Sequence, residues 1–384
     1  MTRSTFLAVP VLCLAVLMPA SRLAAQGTLS TQGFGFPPGQ LSTRALATGG
    51  GLAEFDPDTP INPAAIALSS DPRMFLMYEP EFRKLTVGSG SVNTMTARFP
   101  VVAASVPFGS RGSFGVSVAT LLDRSSSTTI EREQSVAGQT VNLTETTSTL
   151  GSISDIRLAF GYGFNQKVQV GIAGHVYTGQ NRVFFSQVFP DSVKFNDVSQ
   201  TSTLGFTGFA GSAGVLFRPS RNIGFGFSGR KGAKIEANRA DSVVSEADVP
   251  DRLSAGVSFE GIPGSSISAH VSRELWSSMN GLGSSAANAV DTWEGGVGVE
   301  SLGPRIAQRQ LVLRVGGRYR TLPFTAAEND VKELSVAAGI GAQFFRNRAT
   351  FDVSLERAAR SVDGSAIDAK ERSYILSFGL RVRP

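Results

Sequence analysis

From Arg73 to the last residue, large apolar side chains return at every second position in segment after segment, with glycine- and serine-rich breaks between. A period of two belongs to β-strands, whereas helices repeat near 3.6. The stretch LAFGYGFNQKVQVGIAG at 158–174 shows the unit: Leu158, Phe160, Tyr162 and Phe164 alternate with Ala159, Gly161 and Gly163. After Asn165-Gln166 the series resumes as Val168, Val170 and Ile172, alternating with Lys167, Gln169 and Gly171. A link this short joins antiparallel neighbours whose large residues share one face. That face is dry either because it lines the core of a soluble sandwich or because it meets lipid around a barrel.

Connection lengths choose between them. Short links fall at 108–111, 165–166, 218–222, 261–264 and 346–347, and long polar ones at 123–140, 178–203, 231–251, 275–289, 321–332 and 358–370. Alternating short and long connections are expected of an up-and-down membrane barrel, while a Greek-key sandwich gives no reason for them. Candidate strands begin near Met74, Thr94, Gly112, Val141, Val168, Leu204, Ile223, Leu253, Ser266, Val290, Gln310, Leu334, Ala349 and Ser373, with 130–150 open as a further hairpin. The expected fold is therefore all-β: a transmembrane antiparallel up-and-down barrel of about 14 strands over 73–384, both chain ends on the short-turn, periplasmic side.

The two faces differ in chemistry. Ile223, Phe225 and Phe227, or Leu311, Leu313 and Val315, face lipid in this reading, and Gly224, Gly226, Ser228, Arg314, Gly316 and Arg318 face inward. Charges on the inner face require water or one another. Phe108, Phe164, Phe217, Phe344 and Phe345 beside short turns, with Trp276 and Trp293 flanking one long link, are placed as aromatic girdles.

The 42 glycines among 384 residues suit curved sheets and suit helices poorly. Residues 1–25, with Arg3, an apolar run over 7–18 and small residues up to Ala25, are expected to be a signal peptide. Its removal takes away Cys13 and the charges of Arg3 and Arg22, leaving a cysteine-free chain of about +3, too mild for nucleic-acid binding. After residue 26 no apolar run reaches the roughly 18 residues of a membrane helix. Residues 26–72, rich in Gly and Pro, read as irregular structure with one helical turn near Pro63 to Ala67.

The sequence GGGLA at 49–53 followed by NPAAIA at 62–67, then VPDRLSAGVSF at 249–259, Trp276, DTW at 291–293 and LRVGGRY at 313–319, resembles the FadL-type outer-membrane transporters of long-chain fatty acids and other hydrophobic compounds. The resemblance implies a fourteen-stranded monomeric barrel plugged by its N-terminal segment, with 26–72 as the hatch. Phe34, Phe36, Asn62, Pro63 and Ala64 would then sit in the lumen. It also implies as partners outer-membrane lipid, a hydrophobic small-molecule ligand and, during biogenesis, the barrel-assembly machinery. The layout is also similar to PorV-type secretion proteins, which act as shuttles.

Two functions follow. Passive uptake of hydrophobic small molecules calls for an enclosed apolar pocket inside the barrel; a scaffold for secretion or surface attachment calls for a filled lumen and loops suited to protein contact. An enzyme is not expected, and neither is a cofactor or metal. His175 and His270, with Arg314 and Arg318, read as lumen-facing polar residues, and neither histidine carries a motif. The acidic run Glu54, Asp56, Asp58 lacks the spacing and glycine of a calcium loop.

Overall fold

The structure is a computed structural model that describes residues 34–136, 139–190, 194–240, 242–282, 288–306, 309–326, 328–345, 348–362 and 369–384. The segment expected as a signal peptide and the turn at 346–347 lie outside these residues. Strand segments run in the order β1 (Arg73–Val87), β2 (Gly90–Arg98), β3 (Val101–Phe108), β4 (Gly112–Asp123), β5 (Ser126–Val136) and β6 (Gln139–Gly163). Next come β7 (Val168–Val188), β8 (Val198–Phe217), β9 (Ile223–Arg239), β10 (Ser242–Asp248), β11 (Arg252–Ile262) and β12 (Ser265–Glu274). The chain closes with β13 (Thr292–Ile306), β14 (Arg309–Ala326), β15 (Asn329–Phe344), β16 (Ala349–Val362) and β17 (Ala369–Val382).

Every pairing is antiparallel, and β1 pairs with β17 from Met74↔Val382 to Val87↔Ala369, so the sheet closes and leaves no edge around the barrel girth. Three strands are interrupted. β2 and β3 both pair with β1, β4 and β5 both pair with β6, and β10 and β11 both pair with β9, which turns seventeen segments into fourteen strands. Pro100 and Pro250 explain two of the breaks, because proline has no N–H to give the ladder. The third break follows Asp123, whose backbone exchanges hydrogen bonds with Phe36 of the N-terminal segment at 2.7 and 2.8 Å.

The apolar face points outward. Leu158, Ile172, Leu253 and Leu334 are 60–73% exposed, while Ser228, Ser254, Arg318 and Ser354 on the opposite face are buried. Fourteen closed strands whose outward face is apolar make a membrane barrel, since only lipid leaves such a band dry. Among the described residues no helix is long and apolar enough to cross a membrane.

Two sequence expectations need correction. The β1–β2 link is only Gly88-Ser89, so strict alternation of short and long links fails on the long side. The other long links are largely strand: β6, β7 and β8 run 25, 21 and 20 residues, against the 9–11 that cross a bilayer. Their Ser/Thr-rich ladders continue the pairing beyond the membrane band, and 126–150 adds no further hairpin, because β5 continues β4 along β6.

Candidate functional site

The N-terminal segment from Phe34 to Leu68 lies inside the barrel. A short helix at Thr43–Ala47 is capped by Ser42, whose Oγ accepts from the Ala45 N–H at 3.1 Å and donates to the Asp56 carboxylate. Asn62 caps a 3-10 helix at Pro63–Leu68, its Oδ1 accepting from the Ala64 N–H at 2.9 Å, and proline is preorganised for the first position. The one turn expected near Pro63 is this element; the helix at Thr43 carried too few residues to register as a period. Asn62, Pro63 and Ala64 are all buried.

Glycines in the wall let this segment sit close. A Cβ at Gly214 would lie 2.1 Å from the Asn62 Oδ1, one at Gly171 2.3 Å from the Pro63 carbonyl carbon, and one at Gly316 2.2 Å from that of Thr48. Asn62 Nδ2 donates to Glu54 at 2.9 Å, and Glu54 also accepts from Ser254 at 2.6 Å and Ser228 at 3.0 Å. Burial pushes the Glu54 carboxyl up, but His270, Ser254 and Arg252 together hold it below the usual range. Asp56 is likewise held low against burial, by Arg44 and Arg381, whereas Asp58 is pushed up by burial and by Asp56 despite its pairing with Arg381. Arg44 bridges to Glu300 of the wall at 2.7 and 2.8 Å.

Across β1, β2 and β13–β17 the inward face carries a belt of ion pairs. Arg360 reaches Glu333 and Glu371 at 2.6 Å and Glu81 at 2.9 Å; Arg318 reaches Glu356 at 2.8 Å; Arg314 reaches Glu300 and Asp352 at 2.6 Å. The Phe36 ring sits among the guanidiniums of Arg83, Arg98, Arg320 and Arg360, 4.7–5.1 Å from its centroid.

Above this polar tier the lumen changes character. Phe34, Tyr177, Phe206, Ile235, Trp276 and Phe324 belong to one buried apolar cluster at the ends of the strands away from Pro384. Trp276, expected in an outer girdle, is instead turned inward, 2% exposed, and meets Phe34 edge to face at 6.1 Å; Trp293 is the exposed one. The 3-10 helix Trp276–Leu282 folds over the mouth and carries Trp276 and Met279 into the cluster. Phe34 thus lies in this cluster, far along the lumen from the end where the chain finishes.

Among the described residues, the apolar side chains pack against one another where an enclosed pocket was expected. Beneath the cluster lies a cavity of about 60 Å³ bounded by Gln40, Arg230, Arg252, His270, Glu274 and Trp276, room for about two waters at roughly 30 Å³ each. Drug-sized sites run to roughly 300–1,000 Å³. Beside it Arg230 Nη1 and Arg252 Nε are donors buried without a hydrogen-bond partner, as are Nε and Nη2 of Arg157 off the cavity lining, and His270 Nε2 stands 3.6 Å from Glu54. Buried donors are normally satisfied, so this group is the sharpest electrostatic anomaly of the lumen. His175, by contrast, is fully engaged, its Nδ1 on Asp155 at 2.9 Å and its Nε2 on Ser212 Oγ at 2.8 Å.

His175, His270, Arg314 and Arg318 are buried on their strands, and sequence reasoning missed Tyr177, Phe206, Ile235 and Phe324. A signal existed: the inward series of β14 reads Arg314, Gly316, Arg318, Arg320, then Leu322 and Phe324, polar to apolar along one face. Among the described residues no His, Cys, Asp and Glu group is arranged to hold a metal.

No protein-family model matches the sequence, and no curated protein matches it either. Solved structures do. A FadL homologue of Pseudomonas aeruginosa superposes with a TM-score of 0.61 at 13% identity, covering 91% of this chain and 99% of its own. The toluene transporter TodX of Pseudomonas putida gives 0.60 at 12%, covering 90% and 99%. The monoaromatic hydrocarbon channel CymD gives 0.57 at 13%, covering 90% and 97%. The chain shares the barrel fold of the FadL homologue, TodX and CymD over nearly their full lengths.

Proposed function

We propose that the protein is an outer-membrane channel for passive uptake of hydrophobic small molecules, with 1–25 as a removed signal and 26–72 as a movable hatch. The observation that carries this reading is the apolar cluster inside the barrel. A lumen filled only for stability has no need of Tyr177, Phe206, Ile235 and Phe324 at one end when the rest of its wall is Gly, Ser and paired charge. Support comes also from the fold shared with a toluene transporter and a monoaromatic hydrocarbon channel. Cargo enters past Trp276, seats among these side chains, and moves on when the hatch yields. The unsatisfied guanidinium donors of Arg157, Arg230 and Arg252 suit a chain with a carboxylate head, such as a long-chain fatty acid.

Trp276 provides the test. In a Trp293→Phe background it is the one remaining tryptophan. A brominated long-chain carboxylate should quench it saturably, and Phe206→Asp should abolish saturation; linear quenching unchanged by Phe206→Asp would sink the reading. The scaffold alternative draws on the filled lumen and the long polar extensions of β6–β8; it predicts no saturable quenching and a protein partner lost when 178–203 is shortened.

A further inference from the structure

We propose that Ser212 is a nucleophile, activated by His175 and oriented through Asp155, that takes the acyl group of an ester-bearing amphiphile in the lumen. Resting on the reading that the apolar cluster holds an acyl chain, this adds an acyl-ester hydrolase activity to a channel. Three neighbouring strands, β6, β7 and β8, each supply one member on the inward face. His175 Nε2 stands 2.8 Å from Ser212 Oγ, and Nδ1 stands 2.9 and 3.1 Å from the two Asp155 oxygens. Asp155 also accepts from Gln40 Nε2 at 2.9 Å and the Tyr177 hydroxyl at 3.3 Å. Acceptor-only contacts at Nδ1 fix that nitrogen as the protonated one, leaving Nε2 free to take a proton from Ser212. A nucleophile, a base within hydrogen-bond reach and a group orienting the base are the parts of covalent acyl transfer.

The surroundings complete the site. Arg230 lies directly across the ladder from Ser212 on the same face, and its Nη1 is buried with no hydrogen-bond partner. A donor left open beside a nucleophile is where the oxyanion of a tetrahedral intermediate would be held. Tyr177 stacks on His175, ring centroids 6.2 Å apart and planes 6° apart, and is itself part of the apolar cluster. A chain seated in the cluster therefore brings its carbonyl down to the level of His175 and Ser212. Arg157, Arg230, Asp155 and Tyr177 are the ionisable groups facing His175.

The reaction balances without a cofactor. Ser212 Oγ attacks the ester carbonyl carbon while its proton passes to His175 Nε2. The C–O bond to the alcohol breaks, and the alcohol leaves with that proton. Water then attacks the acyl-serine, His175 takes its proton and returns it to Ser212 Oγ, and a carboxylic acid is released. Net change is ester plus water to acid plus alcohol, and the product has the head group that the arginines below the cluster suit.

Two serine-directed probes test it on the detergent-folded full-length protein: an alkyl fluorophosphonate with a long chain and small, soluble phenylmethanesulfonyl fluoride. Expected is one adduct, located on Ser212 by peptide mass, formed faster as pH rises through the histidine range. Ser212→Ala should lose it, His175→Ala should form it at least about 100-fold more slowly with a flat pH profile, and Asp155→Asn should slow it while heat-shifted gel mobility reports an intact barrel. Labelling by the small probe alone keeps the nucleophile and counts against the acyl-chain reading. No adduct from either probe, or one that survives His175→Ala at full rate, overturns the proposal.

Discussion

Gly316→Ala is the most direct probe of how the hatch is held. The added Cβ would stand 2.2 Å from the Thr48 carbonyl carbon and 2.4 Å from the Gly49 nitrogen. Carbon atoms pack best near 3.5 Å or beyond, so the hatch turn must retreat by about 1.3 Å. Both atoms are backbone and cannot swing aside as a side chain would. Overpacking of this kind costs about 1–3 kcal/mol, and a cost of about 1–2 kcal/mol multiplies the undocked population by roughly 5–30. Trypsin cleavage after Arg44 in the intact barrel should accelerate in proportion, because cutting follows the open population when opening is fast. Gly174→Ala is the control: it lies on the outward face of β7, and nothing stands within 4 Å of its would-be Cβ. Equal acceleration in both variants, or none in Gly316→Ala, would refute the view that bare backbone of the wall is what seats the hatch.

Other outcomes follow from the same contacts. Arg360→Met leaves Glu81, Glu333 and Glu371 without their shared cation and should cost about 3–5 kcal/mol. Its thermal midpoint by gel mobility should fall, and adding Glu333→Gln should restore part of it. Asn62→Ala removes a cap worth about 0.5–2 kcal/mol together with the bond to Glu54, so Arg44 cleavage should quicken without loss of the barrel. For pH, the Glu54 and Asp56 carboxyls are lowered in the docked hatch. Their contribution is complete above the undocked carboxylate range near 4 and is lost as pH falls through the lower docked values. Asp58, raised, works in the opposite sense and blunts the loss. Pepsin release of the hatch should therefore rise as pH drops below about 4, and a flat profile would contradict this sign.

Much of the architecture could be read from the chain because strand periodicity is local. Alternation at 158–174 fixed the hairpin and its apolar face, the alternation of link lengths turned that face toward lipid, and thirteen of the fourteen expected strand starts fall on strands found, Val290 standing two residues ahead of β13. Pro100 and Pro250, which break two of them, were visible as residues, but their effect was not. Whether a strand resumes after a proline depends on its pairing with the strand before it, β1 or β9, and that register is not written in the proline itself.

The site itself was only half legible. Parity told that His175 faces inward; it could not tell that Asp155 and Ser212 stand beside it, because the register between β6, β7 and β8 sets that meeting. Trp276 looked like a girdle residue from its place beside a loop, and the fold of 276–282 turned it into the lumen. The sequence by itself determined which residues meet lipid, since a period of two leaves no freedom about sides. Tertiary structure alone decided what meets what inside, because barrel closure brings strands that are neighbours in space, and a hatch from the chain's other end, to contacts that no local pattern encodes.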